Sequence, residues 1–514
     1  MFEKEKIFMK NFICRDGFAE VDTKAGRIRG YMEDDVYNFR GVRYAKATRF
    51  MPPQPVDPWE GVVTATEYGY ICPQGNPPRL AGELLNPHCF WLESEDCQNL
   101  NVWTKTLDPS AKQPVMVWLH GGGYTDGSSV ELLAYNGANQ ARYGDVVSVT
   151  VNHRLNVLGF LDLSDYDPAY QASGNVGIMD LVAALQWVHD NIAQFGGDPG
   201  NVTIYGQSGG GGKVTTLMQM PSADGLYHRA IIESGIISMK GPANTAMRIS
   251  KEAARENARK LVEHVGDYRK IIEMPANDLI KACRETFSNQ MFWAPVPGAG
   301  DFAGDPGQVG LRPETKGIPV MIGSSILEFA FWLPPIDKSS VPEDEKMAAL
   351  KERYGDKAQA ILDAFRKAYP GVNDYYALAI APINFRPEVV DYCNKRSTMA
   401  DAPVYQYVMA YESDINGGTM SWHCAEIPFI FHNADSLGGV YGGEQTQITQ
   451  DEMFGAWMSF ARSGNPNHDK LTEWRPYTED DHACMIFGAP SACRADHDAE
   501  LIEASSTIQF RPRF

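Results

Sequence analysis

Residues 204–216 read IYGQSGGGGKVTT, and two chemistries compete for them. A glycine-rich loop closed by lysine could wrap a polyphosphate with its backbone N–H groups. That pattern requires glycine six residues before the lysine and Ser or Thr directly after it. Gln207 and Val214 stand there instead, so the nucleotide reading fails at two positions. Gly206-Gln207-Ser208-Gly209-Gly210 is G-x-S-x-G, in which flanking glycines leave room for a serine on a sharp turn from strand to helix. A lone serine before a helix is commonly only its cap. Here four consecutive glycines would cost a helix roughly 1 kcal/mol each, so a constraint other than helix propensity accounts for them.

A second glycine run, LHGGGY at 119–124, follows another apolar stretch. It could be no more than a flexible turn. Acyl transfer, however, needs donors around a developing oxyanion, and glycine lets main-chain N–H groups approach it closely.

These segments need a scaffold that delivers them to one place. Short apolar, β-branched runs recur at 115–120, 145–154, 201–206, 229–235, 318–325 and 403–411. Between them lie helical stretches such as GIMDLVAALQWVHDNIAQFGGDPG. This alternation predicts a large, mostly parallel sheet flanked by helices, with ligands gathering at the carboxyl ends of the strands. The region around AEVDTKAGRIRGYMEDDVYNFRGVRYA reads as antiparallel strands joined by tight turns. Charged helical text at about 245–290 and 335–400 reads as insertions over the active-site end of the sheet. With no internal repeat or long linker, residues 1–514 are expected to form a single catalytic domain.

GDPGNVTIYGQSGGG, VWLHGGGY, EDCQNLNVW, VNHRLNVLGFL and GNVGIMDLVAALQWVHDNIAQFGGDP together resemble the type-B carboxylesterase family, the α/β-hydrolases that include cholinesterases and bacterial para-nitrobenzyl esterases. The resemblance runs from FRGVRYA near residue 40 to WRPY near 476. It implies a Ser-His-Glu triad. Glu328, beside three aromatics, reads equally as a buried ion-paired residue on its type alone, but Gly323 to Glu328 reproduces the family's G-x-x-x-x-E element. His423 is the histidine followed three residues on by Glu-Ile, and Ser, then Glu, then His is the chain order of this fold. The resemblance implies that Ser208 attacks an ester carbonyl, His423 moves the proton and Glu328 orients His423. It further implies that Gly122, Gly123 and Gly209 form an oxyanion hole. The expected partners are a small-molecule ester and water, with no metal or organic cofactor.

The chain also departs from the family pattern. Gln207 stands where many relatives have glutamate and Gly209 where they usually have alanine. Pro87 takes the place of the cholinesterase tryptophan that stacks on choline, which disfavours choline esters. Lys213 is expected to pair with a surface carboxylate. Arg49 and Glu95 are expected to form an ion pair. Phe292, Trp293, Phe329, Phe331 and Trp332 cluster near the motifs and are either plain wall or part of an apolar acyl or alcohol site. The resemblance implies a disulfide between Cys72 and Cys97 in secreted relatives. A second family bridge has only Cys283 in place, which fits a reducing compartment.

Composition narrows the remaining choices. The 514 residues are 44% hydrophobic and 22% charged, an ordinary globular balance. A formal net charge of −19 disfavours nucleic acid and anionic membrane surfaces. Neither a signal-like apolar N-terminus nor a membrane-length apolar run is seen, so a cytoplasmic protein is expected. The rival to a serine esterase is a catalytically silent cholinesterase-like adhesion module, which usually lacks the nucleophile and carries a membrane anchor.

Overall fold

The computed structural model describes residues 11–75, 85–235, 247–287, 293–330, 333–380, 385–399 and 401–508. Twelve described strands form one sheet, numbered along the chain: β1 (Phe12–Ile13), β2 (Tyr31–Glu33), β3 (Val36–Arg43), β4 (Asn99–Thr104), β5 (Gln113–Leu119), β6 (Val147–Val151), β7 (Gly197–Gln207), β8 (Arg229–Glu233), β9 (Val320–Ser325), β10 (Val404–Met409), β11 (Ala483–Phe487) and β12 (Ala492–Ala495). Their spatial order is β1-β2-β3-β4-β6-β5-β7-β8-β9-β10-β11-β12. Pairing is parallel from β6 through β11 and antiparallel at both flanks. The N-terminal antiparallel strands are thus present. From that region Glu20–Asp22 and Arg27–Arg29 pair antiparallel in a separate small sheet, joined in parallel by Val62–Thr64.

The central strands are covered on both faces, which explains their near-continuous apolar text. Alternate residues of β5 feed different cores. Val115, Val117 and Leu119 pack with Leu181, Leu185 and Val188 of the helix Val176–Asn191. Met116 and Trp118 pack with Met453, Trp457 and Phe460 of the helix Gly443–Ser463. Among the described residues no helix is long and apolar enough to cross a membrane.

The first helical insertion comprises Lys251–Val265, Tyr268–Glu273 and Ala276–Phe287. Arg49 ties it down: its Nε reaches Glu95 Oε2 at 2.8 Å, while its Nη1 donates to the carbonyls of Ile271 and Met274 at 2.9 and 2.6 Å. The expected Arg49–Glu95 pair is therefore made, and it anchors the insertion as well. In the second region, Glu343–Tyr354 and Ala358–Ala368 enclose an apolar cluster that includes Ile326 and Leu327, the residues before Glu328. Helix Arg386–Met399 packs on β9 and β10, burying Val389, Tyr392 and Cys393 against the sheet core.

Arg154 is 2% exposed and forms a two-pronged pair with the fully buried Asp180 on helix Val176–Asn191, at 2.8 and 2.7 Å. Its Nη1 also donates to Met51 O at 2.8 Å. Removing one partner of such a pair strands a buried charge, at a cost of about 3–5 kcal/mol. Asp180→Ala is therefore expected to lower the stability measured by chemical denaturation by about that much. A loss below 1 kcal/mol would mean the pair is solvated.

Candidate active site

The strand ends align. Leu119 pairs with Gly206, Gln207 with Glu233, and Glu233 with Gly323. The segments leaving these ends therefore meet at one edge of the sheet: the glycine run after β5, Ser208 after β7, Ser234 after β8 and Glu328 after β9. His423 arrives there on the segment after β10.

Ser208 caps the helix Gly209–Leu217 at φ 57° and ψ −125°, a conformation costing a non-glycine residue about 1–3 kcal/mol. Its surroundings over-determine it. The Ser208 N–H donates to Glu233 O at 2.8 Å, and its carbonyl accepts from Gly212 N at 3.1 Å. Gly210 lies so close to β5 that a Cβ there would fall 1.9 Å from Leu119 O, so only glycine lets the turn seat. From Val202 to Met220 every residue is buried except Ser208. Positive φ recurs nearby at Ser234, Glu328 and Cys424, and strained backbone of this kind clusters at functional sites.

His423 and Glu328 come together. Nδ1 of His423 lies 2.5 Å from Glu328 Oε2, and the backbone N–H of His423 donates to Glu328 O at 2.7 Å. Oε1 of Glu328 accepts from Ser234 Oγ at 2.7 Å and from the Ser325 N–H at 2.8 Å. The acid is fully buried, and its two oxygens are matched by three donors. Gln207, adjacent to Ser208, places its amide 3.4 Å from His423 Nδ1, which brings the imidazole beside the turn. Nε2 of His423 makes no hydrogen bond among the described residues. Such contacts are often loose until substrate binds.

Phe329 lies on His423 with ring centroids 4.4 Å apart, and Phe385 stacks on it at 6.0 Å. Of the expected aromatics, only Phe329 is seen against the site. Trp293 is buried in the main core, and Phe292, Phe331 and Trp332 lie outside the described residues. Phe385 and Ser234 were not singled out by the sequence, and Glu426 entered only as the glutamate of the His423 motif, with no role of its own. For Glu426 there was a signal, since it sits one turn beyond His423.

Glu426 is a third carboxyl in this pocket, 3.4 Å from Ser234 Oγ and 3.5 Å from Ser325 Oγ. Burial, reinforced by Glu328, pushes it up to about 8. Glu233, bonded to Trp457 Nε1 at 2.8 Å, is also held well above the carboxylate range by burial and by Glu426. A cluster this acidic is tolerable in a low dielectric only if some members keep their protons.

On the other side of the turn, Gly122 and Gly123 adopt φ of 80° and 62°, and among the described residues their N–H groups donate to no protein acceptor. Gly209 opens the helix, where backbone N–H groups and the dipole favour an anion. A Cβ at Gly209 would fall 2.2–2.3 Å from Gly123 backbone atoms, which is why alanine does not fit here. Lys213 departs from expectation. It is fully buried rather than paired at the surface, and its Nζ donates to His120 O at 2.8 Å and to Gly121 O at 3.5 Å. Cys72 and Cys97 are unbridged, buried thiols, and Cys72 Sγ accepts from the Leu155 N–H at 3.2 Å.

A helix-flanked parallel sheet, with a serine on a strained strand-to-helix turn and a paired acid and histidine after later strands, defines an α/β-hydrolase. The chain belongs to the carboxylesterase family, whose pattern matches residues 18–501. It is 32% identical to the para-nitrobenzyl esterase of Bacillus subtilis (strain 168), over 93% of this chain and 97% of that protein. It is also 32% identical to the phenmedipham hydrolase of Pseudarthrobacter oxydans, over 92% and 97%. Among solved structures it is similar to an esterase from anaerobic Clostridium hathewayi that can hydrolyze aliphatic aromatic polyesters, with 41% identity and a TM-score of 0.90 over 98% of this chain and 100% of that one. The protein is a carboxylic-ester hydrolase.

Glu426 gives this site a pH signature. In the unfolded chain its proton leaves near 4.5, in the fold near about 8. The unfolded state therefore releases its proton first, so stability from this group is full at low pH and is lost as pH rises to about 8. Glu426→Gln removes that dependence. Denaturation at pH 5 and pH 8 is expected to show the variant gaining on the wild type at the higher pH. A constant difference would mean that Glu426 is ionised in the fold.

Proposed function

We propose that the chain is one catalytic unit that cleaves esters through Ser208, His423 and Glu328, by way of an acyl-enzyme. Ser208 Oγ attacks the ester carbonyl while His423 Nε2 takes its proton and passes it to the leaving alcohol. Glu328 holds the opposite ring nitrogen and stabilises the imidazolium that forms. The carbonyl oxygen, negative in the tetrahedral intermediate, is received by the N–H groups of Gly122, Gly123 and Gly209. Water then enters by the same route and releases the acid.

The observation that carries this reading is Ser208 itself, the one accessible residue in a buried stretch, held in a strained conformation at a helix N-terminus. The 2.5 Å approach of His423 to Glu328 supports the roles of the other two. A silent adhesion module would have no use for a strained, accessible serine beside that pair.

We further propose apolar and aromatic esters of small to medium size as substrates. Support comes from Phe329 and Phe385 on the imidazole, from the neutral Gln207 beside Ser208, and from the polyester-cleaving relative.

Ser208→Ala is expected to cut hydrolysis of a nitrophenyl ester by at least about 10,000-fold, and Glu328→Gln by about 1,000-fold or more, with circular dichroism unchanged. Turnover retained by a folded Ser208→Ala protein would sink the mechanism.

A further inference from the structure

Lys213 is a buried ammonium for which hydrolysis by the three proposed residues has no use. It lies four positions after Gly209 on the helix Gly209–Leu217, hence on the same helical face, and its side chain leans back toward the helix start. There its Nζ meets two carbonyls in succession, His120 O at 2.8 Å and Gly121 O at 3.5 Å. No carboxylate forms a salt bridge with it among the described residues. Glu131 raises its proton affinity from a distance, yet burial still pushes the ammonium down to about 7. His120, which follows β5, stacks on His153, which follows β6, with ring centroids 5.2 Å apart. His120 Nδ1 lies 2.9 Å from Gly121 O, so that carbonyl is bracketed from two sides.

A hydrocarbon of similar volume would fill this space without the desolvation cost of an ammonium. What it would lack is a grip on carbonyl oxygens. The Gly121 carbonyl shares its peptide plane with the Gly122 N–H, and in a trans peptide the two point in opposite directions. Holding the oxygen toward the elbow helix therefore aims the N–H away from it. A donor on the oxygen also polarises the amide and strengthens that N–H as a donor. The run Gly121-Gly122-Gly123 has the largest conformational freedom a chain can have, so something must fix it before the oxyanion forms.

We propose that Lys213 is a positioning residue for the oxyanion hole: by holding the His120 and Gly121 carbonyls it fixes the start of the glycine run and pre-orients the Gly122 N–H toward the tetrahedral intermediate, while the Gly122 carbonyl, which sets the Gly123 N–H, is held by the Thr125 and Asp126 N–H groups at 3.2 and 3.0 Å. This rests on the serine-esterase reading above.

The test is Lys213→Met, of similar length and without charge or donors, assayed on a nitrophenyl ester. A second readout is inhibition by an aryl trifluoromethyl ketone, whose serine adduct carries an oxyanion. A lost oxyanion contact lowers turnover by about 100- to 1,000-fold, and a loosened one by less. The expected result is a kcat lowered at least ~10-fold, KM within about twofold, and ketone affinity weakened in proportion to kcat. Lys213→Arg, which keeps charge and donors, is expected to recover part of both. A folded Lys213→Met protein with kcat and ketone affinity within twofold of wild type overturns the proposal, as does a loss confined to KM. If Lys213→Met does not fold, Lys213→Gln is judged by the same criteria. Ser208→Ala, run in parallel, separates the two readings: its retained turnover removes the serine mechanism and the proposal with it, whereas its inactivity leaves Lys213 to be decided alone.

Discussion

The site depends on one backbone conformation, that of Ser208 at φ 57° and ψ −125°. No L-residue rests there unaided. The turn is held by the Glu233 carbonyl on the Ser208 N–H, by the Gly212 N–H on its carbonyl, and by the seating of Gly210 on Leu119 O. The first and last of these contacts come from the parallel pairing of β7 with β8 and β5, and the second is the opening bond of the helix Gly209–Leu217, so the register of three strands is converted into the placement of one hydroxyl.

The electrostatics around the turn are divided. On one side Glu233, Glu328 and Glu426 share a buried pocket with Ser234 and Ser325. On the other, Lys213 and two neutral imidazoles lie beneath the glycine run, His120 and His153 being held well below the usual histidine range by burial and by Lys213. Gln207 lies between these sides and adds no fourth carboxylate to the first. In a low-dielectric interior such separation makes each charge count for more than it would in water. Fixed dipoles and charges of this kind need no rearrangement as negative charge builds on a carbonyl oxygen.

Much of this was legible in the primary text. Apolar runs located the strands after which Ser208, Glu328 and His423 follow, and the glycines marked both loops. What escaped the text was the burial of charge. Lys213 read as a surface residue because a lysine's letter carries no sign of the carbonyls waiting for it. Helix Arg386–Met399 read as an insertion for the same reason. Its Arg386 is buried on Asp498 at 2.6 and 3.0 Å and its Arg396 on Thr315 Oγ1 at 2.8 Å and Ile318 O at 2.9 Å, so charges that suggest solvent lie inside. Phe385 and Ser234 reach the imidazole and the acid from distant segments, and no local periodicity encodes that meeting.

The central claim is that the serine turn, the imidazole and the glycine N–H groups act on one carbonyl. It is tested most directly by a crystal structure of the protein after reaction with an aryl fluorophosphonate. The account predicts phosphorus bonded to Ser208 Oγ, with its phosphoryl oxygen about 3 Å from the N–H groups of Gly122, Gly123 and Gly209. An adduct on another residue, or a phosphoryl oxygen directed away from those three amides, would contradict it.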